Sequence, residues 1–139
     1  MTRIATVLAA GWVVCSVAVL AQSRSVWDGV YTKSQAERGK KVYDQTCARC
    51  HGETLLGGDE AHPLVGDEFL EKWDAQPEWK LFDIIRRTMP DDGPNVLTRT
   101  QTADLVAFLL SANAFPAGTA EVSTEDEALK SVLITKARP

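Results

Sequence analysis

From Lys33 to Thr46, small and apolar residues recur three and four positions apart at Ala36, Gly39, Val42 and Tyr43, with polar residues between them, which is the stripe of an amphipathic helix. Thr32, followed three residues later by Gln35, has the capping-box spacing that opens such a helix. The same period predicts a helix over Asp67–Trp73, with Phe69, Leu70 and Trp73 on one face. It predicts another over Glu78–Thr88, with Leu81, Phe82, Ile84 and Ile85, and a last one from about Thr100 to Ala112, with Ala103, Leu105, Val106, Phe108 and Leu109. Pro77 suits a first helical turn, where its missing N–H does no harm. Gly39 inside the first stripe costs about 1 kcal/mol relative to alanine, so a packing reason is expected for it.

Between these stripes, residues 52–66 (GETLLGGDEAHPLVG) are rich in glycine and turn formers and read as a loop wrapped over something other than secondary structure. Residues 88–95 (TMPDDGPN) read as a second loop. Residues 22–31 form a lead-in without clear pattern. Residues 116–139 read as an acidic arm or short helix, with Thr124 and Glu127 at capping-box spacing ahead of Ala128–Ile134. No alternating strand pattern longer than a few residues appears, and no repeat. The expected class is therefore all-α, with one small domain over residues 32–115.

The first residues change the picture of where the chain works. One positive charge at Arg3, an apolar run from Ile4 to Leu20 and small residues ending at Ala21 form the layout of a secretory signal peptide over residues 1–21. An uncleaved membrane anchor is the alternative, since about 17–25 apolar residues span a bilayer. Cys15 lies inside this segment and is expected to have no role in the mature chain. The formal net charge is −4, and loss of Arg3 adds one more negative unit, so the chain has no electrostatic case for binding nucleic acid.

The remaining cysteines, Cys47 and Cys50, stand in the stretch CARCHG, with His51 directly after the second. Zinc would need Cys47, Cys50, His51 and His62 together, and adjacent Cys50 and His51 are poorly placed to face one ion. A thioredoxin-like redox pair wants a βαβ setting. A disulfide here closes too small a loop to constrain the unfolded chain much. C-x-x-C-H as the attachment site of a covalent c-type haem explains all three residues, the thiols adding to the two vinyl groups and His51 becoming the proximal iron ligand. Met89 is the one methionine left once Met1 is removed with the leader. A lone methionine is ordinarily core packing, but beside a haem with a proximal histidine it is the expected sixth ligand. His62 is the rival, and Pro63 restricts its backbone to extended conformations.

With these residues in view, the chain resembles the class I c-type cytochromes over most of residues 32–115, through RGKKVYDQTCARCHG, HPLVG, TMP and ADLVAFLLSAN. The resemblance implies a small helical domain wrapped around one haem c attached through Cys47 and Cys50. It implies a close crossing of the first and last helices at Gly39 and Tyr43 against Leu105 and Phe108. It also implies that the Pro63 carbonyl accepts the other ring N–H of His51, while Leu64 covers the haem. Trp73 is either a donor to a haem propionate or plain core, and Arg86 and Arg87 are either propionate partners or, the preferred reading, solvated.

The function expected is single-electron transfer between redox proteins in the periplasm, by a monohaem cytochrome with His51 and Met89 as iron ligands and no catalysis of its own. One alternative is the cytochrome subunit of a quinoprotein dehydrogenase complex, to which the opening VWDGVYTKSQAERG and the tail after FPAG are similar. The other is a haem enzyme or ligand sensor whose sixth site opens. Expected partners are a redox donor and acceptor, such as a dehydrogenase large subunit or a terminal oxidase. The acidic balance favours docking through a largely uncharged rim over long-range attraction.

Overall fold

The computed structural model describes residues 24–59 and 61–138, so the export segment read from residues 1–21, with Cys15, lies outside the described residues. Among the described residues six α-helices carry the fold: α1 (Lys33–Thr46), α2 (Ala48–His51), α3 (Asp67–Trp73), α4 (Glu78–Thr88), α5 (Arg99–Ala112) and α6 (Asp126–Lys130). The all-α class read from the sequence therefore stands. Thr32 caps α1, its hydroxyl accepting the Gln35 N–H at 3.1 Å. Thr98 and Gln101 form a full capping box on α5, which starts one residue earlier than its hydrophobic stripe suggests.

The frame is the crossing of α1 on α5. A Cβ added to Gly39 would lie 1.8 Å from the Asp104 carbonyl oxygen and 2.9 Å from Phe108 Cβ, so only glycine lets the backbones approach this closely. Tyr43 packs on Phe108 with ring centroids 5.2 Å apart. The expected contact residue Leu105 is buried, but Asp104 meets Gly39 through its backbone. Asp104 is itself almost sealed from water and takes the Arg38 guanidinium through two bonds at 2.9 and 3.2 Å.

Both flanks pack onto this frame. A capping box of Ser25 and Asp28 closes a short 3-10 turn, Val26–Asp28, and Val26, Val30 and Tyr31 enter the core. Trp27 donates its indole N–H to the Thr135 carbonyl at 2.9 Å and stacks edge-on against Phe115. The tail does not form the helix expected up to Ile134. Thr124 makes no reciprocal cap with Glu127, α6 ends at Lys130, and Val132–Ile134 becomes a strand, β3. Three consecutive apolar residues have no polar face to present on a helix, whereas a central strand buries both faces. β3 pairs in parallel with β1 (Arg24–Ser25) and antiparallel with β2 (Gln76–Pro77), giving a three-stranded sheet in the order β1-β3-β2. This sheet joins the start, middle and end of the described chain.

Candidate functional site

The attachment motif lies on α2, a single helical turn formed directly after α1 because Cys47 both ends α1, donating its N–H to the Tyr43 carbonyl at 2.8 Å, and starts α2. Cys47 and Cys50 are not joined to each other, which removes the disulfide reading. Burial pushes the Cys47 thiol up to about 11, so it is held neutral, the form poorly suited to thiolate redox exchange. Among the described residues, no three His, Cys, Asp and Glu side chains cluster as a metal-binding group, so the zinc set of Cys47, Cys50, His51 and His62 is not assembled.

The loop after the motif is fastened at several points. The Tyr43 hydroxyl donates to the Gly52 carbonyl at 2.6 Å, and burial raises that phenol to about 12, keeping it a donor at any ordinary pH. Gly57, at φ +70°, makes a turn so tight that a Cβ would lie 2.3 Å from the Ala61 carbonyl oxygen. Its N–H meets the His51 carbonyl at 3.0 Å. Leu64 returns onto the core through a 2.8 Å bond to the Leu55 carbonyl. Asn113, at the end of α5, then pins the loop, donating to the Leu64 carbonyl at 2.9 Å and accepting the Gly66 N–H at 3.1 Å.

This arrangement orients His51. Its Nδ1 lies 3.0 Å from the His62 carbonyl oxygen, one residue before the expected Pro63 acceptor. The loop returns across Gly57 and Leu55 so that the His62 carbonyl reaches the ring, and Pro63 restricts the backbone that carries that carbonyl. A carbonyl only accepts, so Nδ1 carries the proton and Nε2 keeps its lone pair. The His62 side chain is 83% exposed and 3.5 Å from Glu68.

Met89 ends α4, with its N–H on the Ile85 carbonyl at 3.1 Å, and is half-buried. The turn after it, closed by a 3.0 Å bond from the Gly93 N–H to the Pro90 carbonyl, carries Asp92, and Asp92 is bonded to Arg49 of the attachment motif. The loop bearing Met89 is thereby tied to the attachment motif. Trp73 is buried in the core at a ring distance of 6.2 Å from Phe69. Sequence reasoning missed the Arg49–Asp92 pair and the Asn113 clamp. Arg49, the only charged residue inside the C-x-x-C spacing, was the available signal for the first, and an asparagine at a helix end was the signal for the second.

The residues present fit a covalently attached haem. Two free thiols and an imidazole that bonds the chain through Nδ1 stand on the attachment motif, Met89 ends α4, and the buried Arg86 Nε of that helix is without a partner among the described residues. The model of the family described as cytochrome C oxidase, cbb3-type, subunit III matches residues 34–109, more than half of the chain. No curated protein matches. Among solved structures, the sulfane dehydrogenase SoxCD from Paracoccus pantotrophus is similar in fold, with a TM-score of 0.53 and 20% identity over 77% of this chain, which spans 61% of that chain. The chain belongs to the family that the matching model describes, and it is a class I c-type cytochrome domain, the kind of domain that carries covalent haem c for electron transfer.

Proposed function

We propose that this protein is a monohaem electron carrier of the periplasm in which Cys47 and Cys50 hold the haem and His51 and Met89 ligate the iron. The observation that carries the reading is the bond from His51 Nδ1 to the His62 carbonyl, which leaves Nε2 as the ligating nitrogen and fixes the ring plane. His62 spends its backbone on that bond, on the side of His51, which makes it a poor rival to Met89. When bound, the haem supplies a one-electron iron couple, and a methionine sulfur makes its potential more positive. Leu64 and the half-buried Met89 loop cover the site, Pro63 holds the His62 carbonyl, and Trp73 backs it from the core. With His51 and Met89 as the residues that would hold the iron, the chain would leave no iron position for a substrate, and the role would be electron transfer. No helix among the described residues is long and apolar enough to cross a membrane.

Met89→Ala tests the ligand assignment. The haem should stay attached, the potential should fall, and the reduced iron should bind carbon monoxide; an unchanged potential with no carbon monoxide binding would remove Met89 as ligand. Replacing both cysteines with alanine should abolish haem that resists acid-acetone extraction. A second reading, service as the cytochrome subunit of a dehydrogenase complex, is favoured by the fold likeness to SoxCD and by a tail that packs as part of the domain. Isolation of the native protein separates the two, since a carrier runs alone and a subunit co-purifies with a large partner.

A further inference from the structure

Arg86 and Arg87 are adjacent and look equivalent in the sequence, yet the fold separates them. Arg87 is exposed, and its Nε donates to Asp83 at 2.8 Å on the outer face of α4. Arg86 is half-buried, its Nε is sealed from water, and that N–H has no hydrogen-bond partner. A guanidinium cannot shed its charge, so a buried, unmet N–H on a permanent cation is costly unless an anion meets it.

Among the described residues, the aspartates of α4, of the turn after it, of α5 and of α6 are engaged elsewhere or exposed. Asp83 is taken by Arg87, Asp92 by Arg49 and Asp104 by Arg38, while Asp126 holds Arg99 and Asp91 is exposed. Among the described residues the other buried side-chain polar atom without a partner is Glu78 Oε1, but Glu78 opens α4 and Arg86 lies in its last turn. At a rise of about 1.5 Å per residue the two stand about 12 Å apart along the axis and cannot meet. Met89, the proposed iron ligand, caps the C-terminal end of α4 three residues after Arg86, which stands in the last turn of that helix.

We propose that Arg86 anchors a haem propionate, an inference that rests on the covalent-haem reading above. The solvated state expected from the sequence then applies to Arg87 alone. Haem c brings two carboxylates, and the planar fork of arginine matches a carboxylate through paired N–H bonds, which a lysine cannot reproduce. Arg86 is therefore a positioning residue that sets the orientation of the haem and the ionisation of its propionate.

The experiment uses the full exported holoprotein and its Arg86→Gln, Arg86→Lys and Arg87→Gln variants. A pyridine haemochrome spectrum first establishes covalent haem; its absence from the wild type would overturn the haem reading, and this proposal with it, by a result independent of any potential measurement. The midpoint potential is then measured against pH. An adjacent cation lowers a carboxyl pKa by about 1–3 units. In Arg86→Gln the bend in the potential–pH curve should move up by about that much, with a lower potential at neutral pH. Arg86→Lys should fall between the two, and Arg87→Gln should behave as the wild type. Should Arg86→Gln fail to accumulate, Arg86→Lys carries the test alone, through a smaller shift in the same direction. Curves for Arg86 variants that superimpose on the wild type, or an Arg87→Gln curve that moves equally far, would overturn the assignment.

Discussion

The α1–α5 frame and the two loops that bear the site are built by opposite rules. In the frame, backbone meets backbone at Gly39 and Asp104, and the inward-facing Gln35 and Asp104 side chains are met within the chain. Gln35, almost fully buried, accepts the Val122 N–H at 2.7 Å and donates to the Val122 carbonyl at 3.2 Å, so one amide ties the tail to α1. Around the attachment motif, groups are left unmet among the described residues: the two thiols are free and His51 bonds the chain through Nδ1 alone, while on α4 the buried Arg86 Nε has no partner. The frame is closed on itself, and the loops are shaped for a group that the chain does not encode. Stability should therefore reside in the first region and redox tuning in the second.

The largest test of that division is Gly39→Ala. Alanine in a helix normally stabilises by about 1 kcal/mol, but here its methyl would meet the Asp104 carbonyl oxygen, an immovable backbone atom. We expect a loss of about 3 kcal/mol or more, or failure to fold, measured by thermal melting of the holoprotein.

Next is Glu78, 1% exposed and far from the loops, whose carboxyl is pushed up by burial to about 8 although Arg24 acts the other way. The sheet register explains Arg24, which sits beside Val132 on β1 while Glu78 comes directly after the β2 residue paired with Leu133. Below the ordinary carboxyl value of 4.5 both folded and unfolded chains hold the proton. Above it the unfolded chain releases its proton first, so stability falls with rising pH until the folded carboxyl ionises near 8. Glu78→Gln should abolish that slope and stabilise the protein at pH 8 by on the order of a few kcal/mol, while leaving the potential unchanged. A potential that moved with Glu78 would break the division between frame and loops.

Smaller effects belong to the fastenings between the two regions. Asn113→Ala leaves the Leu64 carbonyl and the Gly66 N–H without their partner and should cost about 1–3 kcal/mol, with faster hydrogen exchange confined to residues 64–66. Asp92→Asn removes an exposed ion pair and should lower the melting temperature by less than about 2 °C. It should nevertheless speed displacement of Met89 by added imidazole at low salt, an advantage that disappears at high salt.

Local order along the chain was enough to place α1, α3, α4 and α5 to within a residue or so of their ends, because the apolar period, the Thr32 cap and the glycine-rich breaks act over three or four residues. It was also enough to single out CARCH and Met89, and to demand a packing reason for Gly39, since these depend on residue type and spacing. What the tertiary structure decided are the matters of which distant group arrives. The sequence pattern ran Ala128–Ile134 together as one helix or arm, and only the arrival of β1 and β2 on either side makes Val132–Ile134 a central strand. The acceptor for His51 was expected at Pro63 and is His62, because the direction of a carbonyl depends on how the whole loop returns across Gly57 and Leu55. Arg86 and Arg87 carry the same charge one position apart, and a rotation of about 100° around α4 leaves one half-buried with its Nε sealed and the other in water. A sequence records periodicity and chemical type; burial and the choice of partner come from where the chain crosses itself.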